Sequence, residues 1–234
     1  MKPVLLIAVN FVREQRWPIL VLLLWVLLLA VLGLVSDVFR EREDILFVFK
    51  QMAVYAVASS VFFSGSAIHN ERKSRRILAV LAKAVSRPQY LSGLALGVVL
   101  ACGIYCFALG LTGSWILQQA GFPILQVWFL MVSLMVACML AGSVVLMFST
   151  FLNPFLSFGA TALVLILPAF AGQSVWWKYS IPVYPLIEMV LKASFESPWD
   201  VSWLPVGGAL LEAAAFWLLA AQIFSRLDIA VAVE

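Results

Sequence analysis

The sequence predicts an all-helical protein that crosses a membrane six times, and three observations lead to this fold class. Of its 234 residues, 64% are apolar and only 12% are charged, with a mean hydropathy of +1.05, whereas a soluble domain is nearer half apolar and a quarter charged. Six apolar runs are each long enough, or nearly so, to cross a hydrocarbon core of ~30 Å. The basic residues are unequally divided between the two predicted sides. These features leave no room for a separate soluble catalytic domain.

The predicted spans together make residues 1–234 a single transmembrane domain. Helices need about 20 residues to cross the hydrocarbon core, and the apolar runs that approach or exceed this length are 17–35, 45–68, 91–117, 123–148, 155–171 and 204–224. Residues 3–16 precede them and place Val4, Ala8 and Phe11 at helical spacing, with polar residues elsewhere. This pattern predicts an amphipathic helix in the membrane interface.

Lys and Arg indicate the orientation, because cytoplasmic loops carry an excess of both residues. With the N-terminus inside, ten of these residues lie on the cytoplasmic side, and only Arg40, Arg42, Lys178 and Lys192 lie outside. The sequence therefore predicts a multi-pass protein of the cytoplasmic (inner) membrane with both termini in the cytoplasm.

The loop between the second and third predicted spans combines cations with an apolar helical face. Ile77, Leu78 and Leu81 contribute to that face, and Pro88 ends the predicted helix at residues 71–87, since the residue before proline disfavours helical geometry. The pattern alone leaves two interpretations open. The helix either anchors on anionic lipid or binds a partner.

Two segments resemble the ABC type-2 exporter permeases. The first runs from Ile77 to Arg87 and continues through Tyr90-Leu91-Ser92-Gly93 to Gly97, and the second is the chain end Phe224–Asp228. Within the family, the compact permeases of multi-copper-enzyme maturation and gliding-type export are the most similar. The sequence departs from the family pattern at Ala84, where proline is usual, and at Leu94, where lysine is usual.

The resemblance implies that 71–87 is a coupling helix, which binds a separate ATPase subunit and transmits its movement to the spans. The residues implied in coupling are Glu71, Arg72, Arg75, Arg76, Ile77, Leu78, Leu81, Lys83 and Arg87. ATP and Mg²⁺ are expected on that partner and no cofactor on this chain, which lacks a Gly-x-x-x-x-Gly-Lys-Ser/Thr phosphate loop. The chain is thus expected to be a transporter subunit and not itself an enzyme.

A second permease chain, either an identical copy or a close paralogue, is also expected, since a six-span chain must dimerise to enclose a pathway. The outer segment 172–203 is the predicted outer gate, and its candidate residues are Trp176, Trp177, Glu188 and Lys192. Membrane lipid is a further expected partner, whereas no nucleic acid is expected.

Lys50 and Glu212 are ionisable residues inside predicted spans, and such residues are functional-site candidates. Counted from the outer ends of their spans they lie about 7 Å and about 12 Å deep, close enough for an ion pair. Snorkelling of Lys50 and a protonated structural role for Glu212 are the simpler alternatives. If the residues do form a proton or ion site, the chain is a secondary transporter. A non-transporting scaffold that recruits an ATPase is the other alternative.

No metal site or catalytic group is predicted. His69 lies at a span end without partners, and Cys102, Cys106 and Cys138 lie in apolar runs, where cysteine is usually a small core residue.

Overall fold

The structure is a computed structural model that describes residues 2–35, 42–73, 85–119, 124–170 and 203–226. These residues form seven helices and no strand, which confirms the predicted all-helical class. The helices are α1 (Lys2–Glu14), α2 (Arg16–Val35), α3 (Arg42–Lys73), α4 (Arg87–Gln119), α5 (Ile124–Phe151), α6 (Pro154–Phe170) and α7 (Leu204–Arg226).

Four of the described helices contain a segment that is long and apolar enough to cross a membrane. The segments are Phe47–His69, Arg87–Trp115, Ile124–Phe151 and Leu204–Arg226. A fifth is added if α1 and α2, which meet at an angle of 63°, count as one bent span. The 17-residue α6 is shorter than these four helices. The described residues therefore support a multi-pass membrane protein, and six spans are not confirmed.

The helices extend beyond the apolar runs that predicted them. For example, α3 covers Arg42–Lys73 where the sequence predicted 45–68, because a helix continues through polar residues while its backbone hydrogen bonds are made. The predicted helix at 71–87 is divided differently. Its first three residues end α3, Val85 and Ser86 are not helical, and Arg87 begins α4. Residues 74–84 lie outside the described part.

The most buried helix is α5, and it packs against α3, α4, α6 and α7. Leu140, Ala141, Val144 and Val145 are all fully buried on it. The contact with α3 includes a hydrogen bond from Ser60 Oγ to the Cys138 carbonyl oxygen at 2.6 Å. In contrast, α4 and α7 both pack along α5 but contact each other little. This arrangement leaves a cleft between α4 and α7.

The N-terminal helix packs along α4, not only on a lipid surface. Ala8 and Phe11 are buried, and they lie on the face that contacts the first turns of α4. The opposite face exposes Leu6 (70%) and Val9 (54%). Helix α1 thus has two apolar faces, one against protein and one free to contact hydrocarbon.

The antiparallel order of the helices gives the bundle two chemically different ends. At one end, which we call the arginine end, Arg87 begins α4, Arg226 ends α7, and α1 packs alongside. At the other, the tryptophan end, Trp203 packs edge-on against Phe129 with ring centroids 4.6 Å apart. Trp128 is also there, 5.7 Å from the ring of Phe107.

Candidate functional site

The residues before α4 form a reciprocal N-terminal cap. The Ser86 backbone N–H donates to Gln89 Oε1 at 3.2 Å, and the Gln89 backbone N–H donates to Ser86 Oγ at 3.4 Å. This is the capping-box arrangement, which satisfies backbone donors that a helix start leaves open. Pro88 lies in the same first turn, where its missing N–H costs no hydrogen bond. The Ser-Arg-Pro-Gln sequence therefore sets the start of α4.

Arg87 connects this start to the end of the last helix. Its Nη1 atom donates to the Ser225 carbonyl oxygen at 3.0 Å, across 138 positions of sequence. A guanidinium is favourable there, because the last carbonyl groups of a helix are partly negative and lack helical partners. The bond thus joins the start of α4 to the end of α7.

The two glycines of the same motif accommodate α1. A methyl group added at Gly93 would lie 2.7 Å from Cβ of Ile7, and one added at Gly97 would lie 2.7 Å from Cδ1 of Phe11. Tyr90 and Leu91 are also buried, with 1% and 0% of their surface exposed. Only a residue without a side chain permits this close approach of the two helices.

The structure describes some of the predicted coupling residues and none of the four candidate gate residues. Glu71 and Arg72 lie in the last turn of α3, and Arg87 begins α4. The remaining coupling residues, Arg75, Arg76, Ile77, Leu78, Leu81 and Lys83, lie outside the described residues. So do the predicted gate residues Trp176, Trp177, Glu188 and Lys192.

Lys50 and Glu212 lie at different depths in the bundle. Phe49, the neighbour of Lys50, lies beside Gly113 of α4, and Val127 of α5 lies beside the same glycine. Ala213, the neighbour of Glu212, lines a cavity that Cys138 of α5 also lines. The two levels are 11 residues apart along α5, or about 16 Å. Oε2 of Glu212 is buried and has no hydrogen-bond partner among the described residues. Counting from span ends missed this separation because it ignores the stagger between helices.

We therefore expect the effects of Lys50→Ala and Glu212→Ala to add. Sites this far apart usually give free energies of unfolding that sum to within about 0.5 kcal/mol. Denaturant unfolding of the two single variants and the double variant in detergent measures this. A coupling energy above about 1 kcal/mol would show that the two charges interact after all.

Three thiols lie together inside the bundle. Cys138 of α5 lies beside Cys102 and Cys106 of α4, and Cys102 also lies beside Ser60 of α3. All three cysteines are free and buried, as the sequence predicted. No group of three His, Cys, Asp or Glu side chains in the described ranges could hold a metal ion. The cluster is thus a small, polarisable packing centre where α3, α4 and α5 meet.

A cavity of about 500 Å³ lies in the cleft between α4 and α7. Its floor is formed by α5 together with the buried Val98 of α4, and Ser64 of α3 and Val4 of α1 contribute to its edges. The apolar pattern of the sequence did not predict this cavity. Periodicity does not encode the spacing between helices. The sequence signal for the cavity is the pair of small residues Gly142-Ser143 on α5 and the pair Ala213-Ala214 on α7, which all line it.

The chain matches no protein-family model, and no curated protein is significantly similar to it.

Proposed function

We propose that this chain is the permease subunit of an ATP-driven ABC exporter. It moves a hydrophobic or amphipathic substrate across the cytoplasmic membrane by alternating access, and a separate chain hydrolyses ATP. One observation carries the proposal. Arg87 and Ser225, which belong to the two sequence segments that resemble the permease family, are joined at the arginine end by a hydrogen bond from the guanidinium to the carbonyl group. Movement applied to the start of α4 would therefore reach the end of α7 directly.

The proposal requires six spans, which adds α2 and α6 to the four long helices. Helix α2 has 20 residues and α6 has 17, and about 17–25 residues are enough for a span. The chain would pair with a second permease chain, an identical copy or a close paralogue, to enclose a pathway. The segment 172–203 would form the outer gate. ATP-driven closure of the ATPase subunits shifts the population of the two states, because nucleotide binds one state more tightly.

The distribution of charge supports a cytoplasmic arginine end. Arg87 and Arg226 both lie there on described helices, and positive charge marks the cytoplasmic side. Trp128 and Trp203 at the opposite end fit an interfacial aromatic belt.

We expect cysteines introduced at Ser74 and Ser197 to be labelled from opposite sides of the membrane. A membrane-impermeant maleimide added to sealed, oriented vesicles measures this, with each variant also labelled after the vesicles are permeabilised. The three native cysteines are buried and serve as the background control in the parent protein. Labelling of both positions from the same side would contradict the six-span topology.

Replacing Leu78 or Leu81 with Asp is expected to abolish binding or stimulation of the ATPase. A carboxylate placed on the apolar face of the coupling helix costs several kcal/mol unless the site rearranges. The matched controls, Lys73→Ala and Lys83→Ala, remove cations from the same segment and should change binding by less than about 1 kcal/mol.

Co-purification from native membranes followed by ATP hydrolysis in reconstituted vesicles measures both quantities. Normal binding and stimulation by the Asp variants would overturn the coupling role of this helix. An ATPase that binds but whose hydrolysis does not respond to any substrate would identify the chain as a scaffold.

A further inference from the structure

The cleft between α4 and α7 is open along one side and closed at its floor. Val98 and Cys138 on the floor expose only 4% and 1% of their surface. On the rim, Leu210 exposes 42% and Ala214 is also exposed. A ligand would therefore enter sideways, between two membrane helices, from the surrounding hydrocarbon.

The lining of the cleft suits hydrocarbon and not a charged group. Among the described residues no charged side chain lines the cavity, and the polar groups of its lining are three hydroxyls, two thiols and the indole N–H of Trp217. Ser92 Oγ donates to the Pro88 carbonyl oxygen at 2.6 Å, and Ser143 Oγ donates to that of Leu140 at 2.8 Å. Because these protons are used within their own helices, they are not available to a ligand. A charged group bound here would lose its hydration without meeting a charged partner in the described lining.

The length of the cleft corresponds to one leaflet. Along α4 its lining extends from Ser92 to Cys102, a distance of about 15 Å at the helical rise per residue. This is half of the ~30 Å hydrocarbon core. One acyl chain of a phospholipid spans the same distance, from the head group to the bilayer centre.

Cations lie beyond one end of the cleft. Arg87 is five residues before Ser92, about 7 Å along α4, and its guanidinium crosses to the end of α7. Arg226 is the exposed last residue of α7 and comes directly after Ser225, whose carbonyl oxygen Arg87 contacts. A guanidinium carries five donors, and its planar fork matches the oxygens of a phosphate. The positive charge thus lies where the head group would be when the acyl chain fills the cleft.

We infer that the cleft between α4 and α7 binds one acyl chain of an anionic phospholipid, whose phosphate lies beside Arg87 and Arg226. The inference depends on the helices lying in a membrane and does not depend on export. The test of the lipid site uses no ATPase. If the lipid site is wrong, the proposed export function still stands, and if the export function is wrong, the lipid site still stands.

The test uses the full chain in phosphatidylcholine vesicles that contain a small fraction of phosphatidylglycerol with a photoactivatable diazirine on one acyl chain. Mass spectrometry of the cross-linked peptides is expected to find the lipid on floor residues such as Val98 and Cys138, which are buried from random lipid contact. Label restricted to outward-facing residues would overturn the site.

A matched pair of variants isolates the cleft. Ala214 lines the cavity and its neighbour Ala215 does not, and both are exposed. Ala214→Phe is expected to lower floor labelling about tenfold, because excluding two or more methylenes weakens binding by at least that factor. Ala215→Phe should leave the labelling unchanged. Equal labelling of the two variants would overturn the proposal, as would protein cross-links at position 214 that show a helix of a second copy filling the cleft.

The head-group assignment is tested with phosphatidylcholine that carries the same photoactivatable chain. We expect phosphatidylglycerol to label the floor several-fold more than phosphatidylcholine, and the Arg87→Gln/Arg226→Gln double variant to remove the preference. Equal labelling by the two lipids in the parent protein would overturn the assignment of an anionic head group.

Discussion

Replacing Gly97 with leucine is expected to separate α1 from α4. The new Cβ would lie 2.7 Å from Cδ1 and 2.9 Å from Cβ of Phe11, and a Cβ atom near the backbone has little freedom to move away. We expect the free energy of unfolding to fall by about 1–3 kcal/mol. In a chain of this size each kcal/mol lowers the Tm by about 2–4 °C, which thermal unfolding in detergent measures.

Gly207→Leu is the matched control, because nothing lies within 4 Å of a Cβ added at Gly207. Both replacements gain the same intrinsic helix propensity. The difference between the Tm values of the two variants therefore measures the packing of residue 97 against α1. Combining Gly97→Leu with Phe11→Ala should restore part of the lost stability. Equal Tm values for the Gly97 and Gly207 variants would contradict the observed packing of α1.

Replacing Gly142 with leucine is expected to have the largest effect on stability, because this residue lies where α3 meets the most buried helix. An added Cβ would lie 2.9 Å from the hydroxyl oxygens of both Ser60 and Ser64. The displacement would also disturb the bond from Ser60 Oγ to the Cys138 carbonyl oxygen. Overpacking and a lost buried hydrogen bond together cost about 3 kcal/mol or more.

Denaturant unfolding and the yield of monodisperse protein measure this effect. Gly159→Leu on α6 is the control, since a Cβ at Gly159 meets nothing within 4 Å. If the Gly142 variant is as stable as the Gly159 variant, the close approach of α3 and α5 at this position is wrong.

Apolar run length was sufficient to predict the helical class and the positions of the long helices. Each of the four long membrane segments overlaps a predicted span, because burial in hydrocarbon demands a continuous apolar helix. The helix ends were less predictable, since Ser86 and Gln89 fix the start of α4 through hydrogen bonds and not through hydropathy. The break between α5 and α6 lies at Leu152 and Asn153, directly before Pro154, because proline cannot continue the first helix.

The candidate site was less accessible to sequence reasoning than the fold. Gly93 and Gly97 belong to the motif that resembles the permease family, but the sequence does not show that they contact α1. Similarly, the pairing of Arg87 with the Ser225 carbonyl group joins positions 138 residues apart. Contacts of this kind depend on how helices are arranged around α5, which no local pattern specifies.

The packing of α1 on α4 imposes an order of events during synthesis. Ile7 and Phe11 contact glycines that are translated 86 residues later, which takes about 4–17 s at 5–20 residues per second. During that interval α1 has no α4 to bind, and its face with Ala8 and Phe11 must be covered by lipid or by the insertion machinery. The N-terminal helix must therefore exchange its contacts with lipid or with the insertion machinery for protein contacts only after α4 has been inserted.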